Sequence, residues 1–576
     1  MSESKHSHLE AMRHSAAHLM AAAIQSLYPK VKFGVGPVIE DGFYYDVDLD
    51  ENLTPKDLEK IERRMQEIQK DDDPFVRSEI PVDVAEGNAE KLGQPYKVEL
   101  ISDLAKKGEK KVSFYQTGDF LDLCAGPHVG RTSEIGPFKL LSVSTAYWQG
   151  DQSRAQLQRV YGTAWETKDE LAQYLERLEE AKLRDHKKIG ADLDLYHFEE
   201  YSPAAAYWHP KGLLIYRELE RYVREIEGDK YQEIKVPELV TPDLFKRSGH
   251  LEFYRDSMFR VQDGEKEYYL KPMNCPETLL IFKSRKRSYR DLPMRLSCKD
   301  TLHRTEKSGV FHGLTRVKEF EQDDGHIICT LEQAGGEFAD LIEETKLVHR
   351  QFGLKSIFKL ATRPYNFMGE KPDWDRAEKI LREVLSAAKI GYDVKEGDAT
   401  FYGPKIDVYV EDAMGRQWQL TTLQLDLNQP AGLGAKFTDT DGTEKTPVMI
   451  HRALLGSIER FIGVIVEHYN GSLPTWLAPV QAVLIPITDA HSAYATNLYQ
   501  ELQGDGIRAE IDLRGEKMGA KIRDAQLQKI PYMLIVGDRE IQAKGAAVRL
   551  RDGTDLKTLP KDEIIARITK ETKERS

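Results

Sequence analysis

Four residues stand out first for their chemistry. His14 and His18 lie four apart in "MRHSAAHLMAAAI", and Cys124 and His128 lie four apart in "LDLCAGPHVG". Two such pairs have the spacing of a zinc ligand set, because residues four apart on a helix project from one face. By spacing alone zinc is the leading reading, with two unrelated structural pairs as the alternative. The second group is arginines. "LHRTEKSGVFHGLTRVKEFEQDDGH" and "MIHRALLGSIERFIGVIVEHY" carry Arg304, Arg316 and Arg460, and a planar guanidinium fork meets phosphate oxygens in pairs. No glycine-rich phosphate loop occurs, so a nucleotide here must be held by side chains. Taken alone, each arginine is more simply a surface residue, and the basic run "KSRKRSYR" a solvated face.

The elements that must position these residues are legible in outline. Leu9, Met12, Ala16, Leu19, Ala23 and Leu27 fall on one helical stripe, ended by Tyr28-Pro29. "KFGVGPVIEDGFYYDVDL" then reads as strands and turns. "TKDELAQYLERLEEAKLRDHKKIG" opens with a capping box, Thr167 to Glu170, and reads as one long exposed helix ending at Gly190 and joining two domains. A large mixed middle unit follows. After "GSLPTWLAP", strand and helix alternate through "VQAVLIPI", a helix through Leu498, "IRAEID", "KMGAKIRDAQLQK" and "YMLIV", which implies a small parallel or mixed sheet flanked by helices.

A chain of 576 residues is too long for one core. No apolar run approaches the ~20 residues that span a bilayer. The polar amino terminus shows no secretory signal, and four cysteines without a C-x-x-C pair suit a reducing cytoplasm. Net charge is -13, from 82 basic and 95 acidic residues. That argues weakly against a nucleic-acid partner, since phosphate contacts need only local basic surface.

"HRTE" with "RVKEFEQDDGH" resembles motif 2 of the class II aminoacyl-tRNA synthetases, "LLGSIERFIG" resembles motif 3, and "YQEIKVPELV", with Pro237, resembles motif 1. "KPMNCPETLLIF", "TFYGPKIDVYV" and "TPVMIHRALLGSIERF" are similar to the threonyl-tRNA synthetases in particular. The likeness runs over essentially the whole chain.

This resemblance implies a multidomain α/β (α+β) protein: an editing domain at 1–165, a helical linker at 166–193, a class II antiparallel-sheet catalytic domain at 194–475 and an α/β anticodon-binding domain at 476–576. It implies threonine activation with ATP and transfer to tRNA(Thr), by a cytoplasmic homodimer with no membrane partner. Arg304 would bind the α-phosphate, Arg316 a further phosphate and Arg460 the γ-phosphate. Glu306 would read the adenine amino group and Phe320 stack under the base. Gln322, Asp324, Tyr402, Lys405 and Gln424 would surround threonine. Cys275, His326 and His451, too far apart in sequence to be found by spacing, would hold one catalytic zinc per subunit, and magnesium would accompany ATP.

In the amino-terminal region the same family pairs form a metal-free pocket that hydrolyses Ser-tRNA. His14, His18, Lys97, Asp122, Cys124 and His128 would line it here. Glu540 and Arg549 would contact the anticodon. The sequence also departs from the family. Most members begin with a small ubiquitin-like domain, whereas this sequence starts at the His14 region, as expected of a bacterial type without it. Asp300, Thr301 and Leu302 stand where Gly-Ser-Cys is usual, and Gly515 and Lys529 where Asn and Arg are common.

Overall fold

The computed structural model describes residues 2–151, 153–306 and 311–575. The chain divides into two compact units, residues 1–180 and 181–576. Among the described residues no helix is long and apolar enough to cross a membrane.

In the first unit the helix Ser2–Leu27 packs against an antiparallel sheet whose strand order is Lys32–Phe33, Gly42–Asp48, Gln156–Ala164, Phe138–Tyr147. Met12, Ala16, Leu19 and Ala23 of the expected stripe are buried, whereas Leu27 is exposed. The helix is enclosed on more than that stripe, because Ala17, Ala21 and Ala22 are buried too. Small side chains let neighbours approach from several sides, and this is how a polar residue such as His18 comes to be buried. A second sheet, Val76–Pro81, Lys111–Thr117 and Phe120–Leu123, ends at Cys124.

The expected single linker helix is instead two. Lys168–Leu183 opens with the Thr167–Glu170 capping box and buries nothing. It stops, and Asp185 caps a new helix, His186–Asp192, by accepting from the Lys187 N–H at 2.8 Å. His186 and Ile189 are buried in the second unit, so these residues belong to its core and not to an exposed connector.

That unit is built on a nine-stranded, mostly antiparallel sheet. The strands Met294–Cys298, Glu319–Cys329, Val448–Ser457, Gln417–Asp426 and Lys405–Glu411 lie side by side in that order. Apolar positions on its faces, such as Ile327, Leu423 and Leu454, are buried under the helices Leu331–Gln351 and Ile458–His468. Residues after Trp476 form a five-stranded mixed sheet. Its first three strands, Ala482–Pro486, Ala509–Ile511 and Tyr532–Val536, are parallel as the alternation implied, and two antiparallel strands complete it. The two sheets are tied together: Arg551 donates to the Leu473 carbonyl at 2.6 Å, and Thr475 Oγ1 to Glu571 at 2.7 Å.

Candidate functional site

Strand pairing assembles the main site. His326, His451, Gln424 and Lys405 are direct neighbours across four adjacent strands. Along the strand Glu319–Cys329 the pleat sends alternate residues to one face, so Phe320, Gln322, Asp324 and His326 follow one another. A register shift between Gln322 and Asp324 bends the row locally. The helix Cys275–Lys283 brings Cys275 at its start, and the helix Ile458–His468 brings Arg460 in its first turn, where Ser457 Oγ accepts from the Arg460 N–H. One cavity of about 500 Å³ is lined by Cys275, Arg304, Glu306, Arg316, Phe320, Gln322, Asp324, His326, Tyr402, Lys405, Gln424, His451 and Arg460.

The cavity has a polar, charged end. Arg304 is held by its Nε donating to Pro272 O at 3.2 Å, with its guanidinium 5.0 Å above the Phe320 ring. Arg316 pairs with Glu306 at 2.8 Å. Lys405 pairs with Asp407 at 2.6 Å. Arg460 differs: its buried Nε has no hydrogen-bond partner, and burial, with Arg316 nearby, lowers its pKa. A desolvated guanidinium without a partner favours an incoming anion.

The other end can hold a metal. One ligand atom from each of Cys275, His326 and His451 lies within 4.8 Å of the others, and all three residues are buried. His451 Nε2 lies 3.0 Å from Asp426, and His326 Nε2 lies 3.6 Å from Asp324. An ionised carboxylate only accepts, so Asp426 fixes the proton on His451 Nε2 and leaves Nδ1 as the lone pair. His326 Nδ1 is buried without a partner. Burial pushes the His326 imidazole down to about 4 and the Cys275 thiol well up. A thiol that cannot ionise alone, beside neutral imidazoles with free lone pairs, is the donor chemistry that zinc completes. Next to it, Tyr402 stacks on His451 and donates to Gln424 Oε1 at 2.5 Å, while Asn274 donates to Asp324 at 3.0 Å.

Asn274 and Asp426 escape a reading of the sequence, since their importance lies in which side chain they orient. The alternation of Phe320, Gln322, Asp324 and His326 was visible there and would have placed all four on one face. The departure at Asp300 also resolves. Its carboxylate accepts from the Val236 N–H at 2.9 Å, from Lys271 Nζ at 3.1 Å and from Cys298 Sγ at 3.0 Å. This ties the strand before motif 2 to the segment whose Pro272 carbonyl holds Arg304.

In the first unit the four spaced residues do meet. Cys124 Sγ lies 3.3 Å from both His14 Nε2 and His128 Nε2. The Pro127 carbonyl only accepts, so His14 carries its proton on Nδ1. Ser15 Oγ donates to Ala11 O and therefore accepts from His128 Nδ1. Both Nε2 lone pairs thus face the sulfur. Burial lowers the pKa of all three imidazoles, His128 to about 2, and raises the Cys124 thiol to about 11. The cluster is neutral at pH 7. Beside it Lys97 and Asp122 form a buried ion pair at 2.5 Å, Tyr45 donates to Asp122, and His18 Nε2 lies 3.7 Å from that carboxylate. Ser15 and Tyr45 were not anticipated, since nothing in their local sequence marks them as facing the cluster.

Glu540 and Arg549 lie in the last sheet domain. Glu540 accepts from the Gly537 N–H at 3.1 Å and from Thr558 at 2.9 Å, so its carboxylate caps its own helix. Arg549 has a buried Nε without a partner.

Comparison with known proteins agrees with this division of labour. Residues 257–469 match the tRNA synthetase class II core domain (G, H, P, S and T), 481–571 an anticodon binding domain, and 112–161 the threonyl and alanyl tRNA synthetase second additional domain. The chain is 46% identical over 562 residues to the threonine–tRNA ligase of Burkholderia multivorans, covering 97% of this chain and 88% of that one. It is 45% identical over 570 residues to that of Methylococcus capsulatus, covering 99% and 89%. Among solved structures, the RNA binding domain of the Cryptosporidium parvum threonyl-tRNA synthetase matches with a TM-score of 0.65 and 37% identity, over 67% of this chain and 98% of that one. The chain belongs to the threonine–tRNA ligases, class II aminoacyl-tRNA synthetases that carry the second additional domain.

Proposed function

We propose that the large cavity forms threonyl-adenylate through the residues gathered there, and that the His/Cys cluster edits. The observation that carries the first reading is the buried, unpartnered Nε of the half-buried Arg460, in one cavity with a soft metal-ligating corner. ATP lies with its phosphates on Arg304, Arg316 and Arg460 and its adenine against Phe320, within reach of Glu306. The threonine carboxylate attacks the α-phosphorus in line, the bond to the β-phosphate oxygen breaks, and pyrophosphate leaves. Arg304 faces the charge that develops on the phosphorus centre. Magnesium bound with ATP offsets phosphate charge.

Cys275, His326 and His451 would hold one zinc, which when bound supplies an open Lewis-acidic position that the amino and hydroxyl groups of threonine satisfy and valine's methyl does not. Asp324, oriented by Asn274, accepts from the substrate hydroxyl. Tyr402, Gln424, Gln322 and Lys405 close the remaining wall. Serine keeps the hydroxyl and loses only a methyl, worth ~1–3 kcal/mol or roughly 10–200-fold. Pyrophosphate exchange with threonine, serine and valine side by side tests this: threonine first, serine second and valine inactive. Exchange that is as fast with valine as with threonine overturns it.

Serine's partial success calls for hydrolysis after transfer. His14, His18 and His128 offer neutral imidazoles, beside the Cys124 thiol, to a water attacking the seryl ester, while Lys97 and Asp122 hold the wall in place. Threonine is excluded by overlap of its extra methyl. His18→Ala is expected to leave threonine charging intact and to let Ser-tRNA accumulate, with deacylation slowed by ~100-fold or more. Rapid deacylation by that variant removes His18 from the site. One observation favours a second reading, a cation held by the same cluster, since its four ligand atoms lie within 4.8 Å. Metal analysis separates the two: one zinc per chain is expected, and a second one required for deacylation supports the alternative.

The domain after Trp476 binds the anticodon. Arg549→Ala is expected to raise the KM for tRNA by ~10-fold, the loss of one charge-assisted hydrogen bond, with pyrophosphate exchange unchanged. Charging that is unaffected moves recognition elsewhere. The reading is completed by a cytoplasmic homodimer paired through the motif 1 segment near Pro237, which analytical ultracentrifugation tests.

A further inference from the structure

Outside both sites, the buried His186 and Glu467 and the half-buried Asp185 form a cluster with ligand atoms within 4.8 Å of one another. Hydrogen-bond direction shows that it is not a cation cradle. The Leu314 N–H can only donate, and its acceptor is His186 Nε2 at 3.0 Å. The ring proton is therefore on Nδ1, which donates to Glu467 Oε1 at 2.5 Å. The His186 backbone N–H donates to that same oxygen at 3.0 Å, and Arg416 pairs with the other. Both imidazole nitrogens are committed.

What the ring holds is the turn that leads into Arg316. Gly313–Thr315 is a single tight turn, and Gly313 has φ +51°. A Cβ there would lie 2.1 Å from His186 Nε2, so the backbone lies directly on the imidazole. The helix Ile458–His468, which carries Arg460 in its first turn, ends with Glu467 and His468. It touches the same turn at Gly463, where an added Cβ would meet Thr315 at 3.2 Å and Leu314 at 3.4 Å. His186 is fully buried, whereas the Arg316 side chain is 52% exposed. Apart from its pair with Glu306, little surrounds the Arg316 side chain, so the backbone beneath it sets where the guanidinium starts from. One imidazole therefore joins the turn that delivers Arg316 to the helix that delivers Arg460.

We propose that His186 is a positioning residue for adenylate formation, its Nε2 holding the Leu314 amide and so placing Arg316 relative to Arg460 on the ATP phosphates. The proposal rests on the reading that Arg316 contacts ATP. Without the acceptor, a buried N–H loses its partner and the turn loosens. In Gln the amide oxygen stands as many bonds from Cα as Nε2 does in His, so it can restore that acceptor. In Asn the amide reaches only the Nδ1 position and can restore the donor to Glu467 alone.

The test is pyrophosphate exchange with ATP titrated, on purified enzyme with its zinc content measured. His186→Ala is expected to raise the KM for ATP by ~10-fold or more, the loss of one buried hydrogen bond, with the KM for threonine and the zinc content near those of the wild type. His186→Gln should recover most of the ATP KM, and His186→Asn should resemble His186→Ala. Arg316→Ala is the control for the underlying reading. If Arg316→Ala raises the ATP KM and His186→Ala does not, or if Gln restores no more than Asn, the positioning role is overturned. If Arg316→Ala leaves the ATP KM unchanged, the reading of Arg316 fails and the proposal with it. Should His186→Ala fail to fold, the comparison of Gln with Asn decides alone.

Discussion

Replacing Arg304 or Arg460 with alanine is expected to cut threonine-dependent pyrophosphate exchange by ~100-fold or more, since one well-placed donor to a developing anion is worth several kcal/mol. The two should fail differently. Arg304 is already oriented, with Nε on the Pro272 carbonyl and its plane over Phe320. In the proposed reading it meets the reacting phosphorus, so its loss should fall mainly on kcat. Arg460 is half-buried, with a buried, unpartnered Nε and a pKa lowered by desolvation. The cost of desolvating this cation is borne in the free protein and relieved when a phosphate arrives. Its removal should weaken ATP binding as well as the rate, and on electrostatic grounds Arg460→Ala is expected to be the more stable protein. A thermal melt with and without ATP checks this: the nucleotide should raise the melting temperature of the wild type more than that of Arg460→Ala. Near-normal exchange by Arg304→Ala would mean that motif 2 has another role.

Changing Cys275 to serine is expected to remove zinc and adenylate formation together, the latter by ~100-fold or more, because a Lewis acid at a reacting site is worth several kcal/mol. Serine keeps the size of the side chain and loses the soft anion. The surrounding groups explain why the loss cannot be made good. An imidazole that ligates through its lone pair brings no charge to a divalent ion, and only the thiolate supplies it within the proposed ligand set. Burial pushes the thiol well up, so the thiolate exists only where a cation stabilises it, and metal binding must release a proton. Titrating zinc into the metal-stripped protein in buffers of different ionisation enthalpy measures that proton. Asp426→Asn, which leaves the ligands in place, should lower zinc affinity by ~10–100-fold through the lost anchor on His451. Threonine activation intact in a wild-type protein that contains no zinc would overturn the assignment.

Long motifs with their own local logic were legible in the sequence alone. The arginine-bearing segments, the strand–helix alternation after Trp476, the Thr167 capping box and the amino-terminal helix all depend on residue type and on periods of two or 3.6, which a linear reading contains. The paired spacing of His14 with His18 and Cys124 with His128 was equally plain, yet it left open whether they form one metal site or two unrelated structural pairs. The tertiary structure decided which groups face one another. Cross-strand register put His326, His451, Gln424 and Lys405 in one row, and no local pattern connects positions so far apart. The connector read as one exposed helix broke at Asp185, because a fully buried His186 satisfies a turn 128 residues away in sequence. Hydrogen-bond direction is likewise a property of neighbours: Pro127, Ser15, Asp426 and Leu314 settle which nitrogen of each histidine carries the proton. Residue type determines what chemistry is available, and only the packed fold sets the solvation and the partners that decide which chemistry is used.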